Sequence, residues 1–192
     1  PGSPLEQEID GALGEGRELL TRSQLADGSW AGVWGVNFVY GTLFGIRGLL
    51  ATGVPPTDPR IRRAAAFLQA PQRPHGAWGE HATSVLVGRW VEHEEGQVVQ
   101  TAWALMALLE ARDGDFAALD RAARFLASRQ REDGTWPKQD PEGIFFHTAL
   151  LDYVLYRSYF PVWALGLFEA RRKEREALRG DRAPSQSGHA FV

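Results

Sequence analysis

Cysteine is absent from all 192 residues, and methionine occurs once. Without thiols the chain forms no disulfide, no thiolate-bound zinc site and no cysteine nucleophile, although this says little about compartment. Basic charge is not in excess either. The 21 Lys and Arg face 24 Asp and Glu, for a net charge of −3, which leaves no electropositive surface for nucleic acid. No stretch of 18 or more apolar residues occurs, which excludes a bilayer-spanning helix, and the first residues lack the pattern of a signal peptide. Contact with one face of a membrane is not excluded by that. His75, Glu80 and His81 are the best that can be drawn as metal ligands, but they offer no helical i, i+4 His pair and no third ligand, so neither a metal nor another cofactor is expected. Pro1 stands where an initiator Met is usual, which points to a processed product or to a piece of a longer chain.

What the sequence does have is a repeat. A Leu is followed after four residues by a Gln and then by Gly-x-Trp, with the Trp six residues beyond the Gln: Leu20, Gln24, Gly28, Trp30; Leu68, Gln72, Gly76, Trp78; and Leu126, Gln130, Gly134, Trp136. Three of the seven Trp occupy the same slot of this frame, at intervals of 48 and 58 residues, enough for two helices and two connections per unit. The pairs Leu19-Leu20, Phe67-Leu68 and Phe125-Leu126 end the first helix of each unit. Asp27-Gly28 and Asp133-Gly134 supply the turn, in which Gly takes the positive φ that a helix stop requires. The Gln amide can meet an unpaired backbone group at a helix end and lay its flat face on the following indole, so the motif is expected to clasp helices together.

Along the chain, the pattern predicts helices over residues 5–22, 34–52, from Asp58-Pro59 to about 70, 97–112, 116–129 and 143–172, the last with a break near Pro161. Residues 82–95 read as a short helix or a loop, 173–192 as a charged, solvated tail, and no strand pattern emerges. The second, fifth and last helices are apolar or aromatic and the third and sixth amphipathic, which suggests inner and outer layers. The fold class expected is therefore all-α, an α/α toroid of helix-pair repeats. Seven or eight helices fall short of the twelve in a ring of six pairs, so residues 1–172 make an incomplete barrel whose apolar edge another segment must cover.

Chemistry is expected on the inner helices. Read as one helix, the last segment brings Phe145, Tyr153, Tyr156 and Phe160 within an arc of about 80°, and Trp34 and Phe38 pair at i, i+4. Tyr40 turns off that face. The segment from Gly28 to Thr42, which holds Trp34, Phe38 and Tyr40, together with Gly143-Ile144-Phe145 and the run from Tyr153 to Gly166, resembles the triterpene cyclases, the oxidosqualene and squalene–hopene cyclases. The likeness covers residues 5–170. The Phe160-Pro161-Val162-Trp163-Ala164-Leu165-Gly166 ending and Gln97-Val-Val-Gln100-Thr101-Ala-Trp103 look more like the sterol-forming branch.

The resemblance implies the C-terminal part of a cyclase in which a protonated epoxide or alkene starts a carbocation cascade. It implies that Trp34 and Phe145 stabilise cations and that Phe38, Tyr40, Tyr153 and Tyr156 line the substrate cavity. A carbocation has no lone pair or N–H to satisfy, so π faces and shape are what a protein can offer it. The partners implied are an isoprenoid substrate and the remainder of the cyclase, and the place implied is the cytoplasm, peripherally on a membrane. The initiating Asp motifs of the family, Asp-Cys-Thr-Ala-Glu or Asp-x-Asp-Asp, do not occur, so the chain alone is not expected to cyclise anything. Asp113, Asp115, Asp120 and Asp152 read as caps and surface charges. Phe146 stands where sterol-forming relatives usually have Asn, and Leu43 where they often have Trp, which leaves the product open. Two other classes compete: a prenyltransferase subunit, which shares the toroid but needs a Cys for its zinc, and a helical-repeat binding module, which needs no inner aromatics.

Overall fold

The chain, described by a computed structural model over residues 3–180, is built around one helix. From Val98 to Leu109 every residue of α5 (Val98–Glu110) is buried. A helix apolar all round must sit inside a shell of neighbours. That shell consists of α2 (Phe38–Ala51), α3 (Pro59–Gln69), α6 (Phe116–Arg129) and α7 (Tyr156–Gly180), while α1 (Pro4–Ser23) lies against α2 with none of its own residues buried. The apolar α2 and α5 and the aromatic first half of α7 form the inner layer, and the amphipathic α1, α3 and α6 the outer.

Local chemistry sets the boundaries. Ser3 and Glu6 form a capping box at α1, and Asp58 accepts the N–H of Arg60 at 2.9 Å to start α3 at Pro59. The glycines of α2 are explained by packing: a β carbon on Gly45 would strike the Trp30 indole. A helix that would otherwise lose about 1 kcal/mol to each glycine gains close contact with the buried ring instead.

The three copies of the clasp superimpose in their bonding. Trp30, Trp78 and Trp136 donate their indole N–H to the carbonyls of Leu20, Leu68 and Leu126 at 2.8, 2.6 and 2.9 Å. Gln24, Gln72 and Gln130 donate to the carbonyls of Gly28, Gly76 and Gly134 at 2.9, 3.1 and 3.0 Å. Each Trp is thereby buried with its one polar atom satisfied, and removing an indole from water contributes about 4–6 kcal/mol before entropy is counted. Gln24 and Gln72 do more. Their amides reach the carbonyls of Arg60 and Ala118, 2.8 and 2.9 Å away in the first turn of the next outer helix. Gln130 is exposed and meets no such carbonyl among the described residues.

Four expectations from the sequence need correction. The segment 143–172 is not one helix: β3 (Gly143–Phe145) and β4 (Ala149–Leu151) form an antiparallel hairpin, and α7 begins at Tyr156. Helix α7 then continues through Pro161, which lies in its second turn, and through the charged run to Gly180, where Arg172 pairs with Glu169 and Glu176. Residues 173–180 are therefore helix, and the rest of the expected tail lies outside the described residues. The second helix starts at Phe38 rather than 34, because residues 33–37 bend around Gly35, whose neighbours give their backbone bonds to Glu142 and Ile144 instead of to a helix. Finally, the unsettled stretch after Trp78 is β1 (Trp78–Glu80), a short α4 (Thr83–Val87) and β2 (Glu92–Gln97), with β1 and β2 antiparallel. Strands of three to six residues, one of them the polar Glu-His-Glu-Glu-Gly-Gln, carry no periodicity to detect.

Candidate functional site

The two segments that resemble cyclase signatures meet through their backbones. Val36 N–H donates to the Glu142 carbonyl at 2.7 Å and Ile144 N–H to the Trp34 carbonyl at 3.0 Å, so the approach to α2 pairs with β3 across a Gly35–Gly143 bridge. Across that junction the Trp34 indole stacks on Phe145, with centroids 5.0 Å apart and planes at 30°.

The loop that carries Trp34 is pinned from below. Glu80, 1 % exposed, directs its carboxylate at the start of α2 and accepts the N–H groups of Asn37, Phe38 and Val39 at 3.1, 2.9 and 3.0 Å. Those donors are orphaned at any helix start, and the helix dipole favours an anion there. Burial still outweighs the three bonds and raises the Glu80 pKa. Gln97 accepts the Glu80 N–H at 3.0 Å, and Asn37 turns its side chain back to accept the N–H of Gly32 at 2.9 Å.

A second aromatic group continues the inner face. Trp103 on α5 has Tyr40, Tyr156 and Phe160 edge-on at 5.1, 5.7 and 5.5 Å, Tyr40 touches Phe44 at 4.8 Å, and Tyr153 stacks on Tyr156 at 4.8 Å. Burial, reinforced by the neighbouring tyrosines, pushes Tyr156 up to about 12 and raises Tyr40 also. These phenols keep their protons at neutral pH and offer π faces and O–H dipoles, not bases.

The expected residues divide into three settings. Trp34 and Phe145 meet, but across a loop and a hairpin rather than along helices. Tyr40, Tyr153 and Tyr156 gather around Trp103, and the arc drawn from Phe145 on a single helix is not the reason, since Phe145 is in β3. Phe38 does not pair with Trp34: it is buried at the start of α2, while Trp34 is 48 % exposed ahead of it. Trp103 was legible as an apolar position of α5 and as the end of the Gln97–Trp103 run that resembles the sterol-forming branch, but not as the centre of this group. Its sign in the structure is a fully buried indole N–H without a protein acceptor, alongside the similarly unpartnered side-chain oxygen of Gln100, whose amide donates to the Val36 carbonyl at 2.5 Å. The groups weighed as metal ligands go separate ways, His75 against Phe125, Glu80 to α2 and His81 against His93. Asp113, Asp120 and Asp152 hold Arg62, Arg124 and Arg157.

The arrangement has counterparts. Residues 6–170 match the model of the squalene-hopene cyclase C-terminal domain. The chain belongs to that cyclase family. Lanosterol synthase of Homo sapiens is 38 % identical over 177 residues, which are 90 % of this chain and 24 % of that protein, and squalene–hopene cyclase of Bradyrhizobium diazoefficiens is 36 % identical over 170 residues, 88 % of this chain and 26 % of that protein. The chain thus spans about a quarter of these cyclases and corresponds to their C-terminal part. The ent-copalyl diphosphate synthase of Streptomyces platensis aligns with a TM-score of 0.63 at 21 % identity over 86 % of this chain and 30 % of its own, a likeness of fold that places the helix pairs in the α/α toroid class of the terpene cyclases.

Proposed function

We propose that this chain forms one wall of a cavity in which an isoprenoid, squalene or oxidosqualene, is cyclised through carbocations to a polycyclic triterpene. The observation that carries the proposal is the Trp34–Phe145 stack, continued on the inner face by Tyr40, Trp103, Tyr153 and Tyr156. A migrating cation needs stabilisation that neither hydrates nor deprotonates it. A ring face supplies about 2 kcal/mol when water is excluded, roughly 30-fold in rate if the contact forms only at the transition state.

On this reading Trp34 and Phe145 face the cations, while Tyr40, Tyr153 and Tyr156 shape the cavity and Phe38 supports it from the core. The initiating proton comes from the remainder of the cyclase, since the chain carries neither acid motif. That remainder also closes the ring. Its seat is the third clasp, where among the described residues Gln130 and Gly134 lack the outer helix that Gln24, Gly28, Gln72 and Gly76 receive, and it covers exposed apolar side chains such as Val33, Phe44, Val154, Leu155, Val162 and Trp163. No helix among the described residues is long and apolar enough to cross a membrane. An isoprenoid substrate dissolves in lipid, and we place the assembled enzyme peripherally at a cytoplasmic membrane face for that chemical reason.

Titration of the chain with a cationic azasqualene and with neutral squalene, followed by tryptophan fluorescence, tests the wall. Tighter binding of the cation, with a signal lost in Trp34→Phe, supports it; equal binding of both, or a signal indifferent to Trp34, overturns it.

A further inference from the structure

The turn joining β3 to β4 holds two consecutive non-glycine residues in the left-handed region, Phe146 at φ +49° and His147 at φ +62°. The Thr148 N–H closes it on the Phe145 carbonyl at 3.2 Å, and β3 and β4 fix its register through Phe145 opposite Ala149. Left-handed backbone presses Cβ toward the following carbonyl, so glycine or asparagine takes such a position easily and a bulky ring does not. Phe146 is also 79 % exposed, so it recovers nothing by burial. A strained conformation persists where its surroundings over-determine it, and it collects at sites of ligand contact.

The ring does have one set of neighbours. Its centroid lies 4.0 Å from that of Phe145, which stacks on Trp34. Three rings therefore run without interruption from the loop ahead of α2 to the tip of the hairpin.

We propose that Phe146 is a specificity-determining residue that lengthens the Trp34–Phe145 surface, its turn holding a π face where a positive charge beyond reach of those two rings is favoured over neutral hydrocarbon. The inference rests on the reading of that surface as a cation wall. A merely structural turn gains from glycine or asparagine here; a recognition residue loses selectivity with either.

The test uses the 192-residue chain, with benzyltrimethylammonium and its neutral isostere neopentylbenzene as probes and NMR shifts of the aromatic resonances as the readout. Phe146→Asn raises Tm by about 2–4 °C through relief of strain and lowers the ratio of cation to isostere affinity about threefold. Phe146→Leu keeps the strained backbone and lowers the ratio without raising Tm. An unchanged ratio in both variants, with Trp34→Ala and Phe145→Ala lowering it, overturns the role of Phe146 and leaves the wall standing. An unchanged ratio in all four overturns the wall and the role together.

Discussion

Glu80 accepts the backbone N–H of Phe38 at 2.9 Å and so ties the turn of one repeat to the inner helix of the repeat before it. The bond is one of three from a single buried carboxylate, and Asn37, the residue just ahead of α2, caps nothing with its side chain. Glu80→Ala leaves three buried donors unmet and is expected to lower stability by about 3 kcal/mol, a fall in Tm of roughly 6–12 °C, with Glu80→Gln intermediate. Thermal melts followed by circular dichroism decide it: a loss under about 1 kcal/mol means that water replaces the cap.

Glu142 makes stability depend on pH. Burial, with Asp152 and Asp140 nearby, raises its carboxyl to about 7 against an ordinary 4.5, and Arg157 offsets only part of this. The folded chain thus holds the proton more tightly than the unfolded chain does. Its contribution is complete below about pH 4.5 and is lost as pH rises through 7, up to roughly 3 kcal/mol. Asp58, held down to about 2 by Arg60, acts only at lower pH, so the two windows do not overlap. Urea unfolding is expected to show a higher midpoint at pH 5 than at pH 8, and Glu142→Gln to flatten that slope. A midpoint that rises with pH contradicts the assignment.

Gly76 and Gly134 hold equivalent slots with φ of +95° and +81°, yet a β carbon on Gly76 strikes the backbone of Arg121 while one on Gly134 meets nothing within 4 Å. Alanine at 134 should therefore cost only the backbone term, about 1 kcal/mol, and alanine at 76 at least twice that because α6 must shift. Equal losses in guanidinium unfolding exclude the asymmetry. In an assembled toroid the difference should shrink, since a docked helix makes Gly134 as crowded as Gly76.

Trp103 and Trp34 separate core from surface. Trp103→Ala empties a site with no solvent exposure and is expected to cost about 3–5 kcal/mol, whereas Trp34→Ala removes a half-exposed ring with one stacking partner and should cost about 1 kcal/mol. Trp34→Ala should nonetheless lower the preference for a cationic ligand. A large loss of stability at Trp34 would mark it as packing rather than surface.

Much of this was legible in the residues. The clasps could be read because they repeat in one frame, and Leu20, Leu68 and Leu126 fall where each indole finds its carbonyl. Helices α3, α5 and α6 followed from a cap at Asp58 and from unbroken apolar periodicity. The site was legible as a set of residues but not as a geometry. Phe145 meets Trp34, and Tyr156 meets Trp103, for reasons unrelated to spacing along one helix, because a three-residue strand lies beside the backbone at Trp34 to Val36, and a contact across more than 100 residues leaves no local pattern. The role of Glu80 was not legible, for a similar reason. Nothing near it in sequence announces that its partners are amides 41–43 residues upstream.

Because Gln24 and Gln72 each bond into the following repeat and Gln130 does not, cohesion along the arc is shared between neighbours and runs out at one end. Such an array behaves as a linear chain of coupled units. In the isolated arc, amide exchange should be faster at the Gln130 clasp than at the Gln24 and Gln72 clasps, so that the joint that would seal the circle is the one held least firmly.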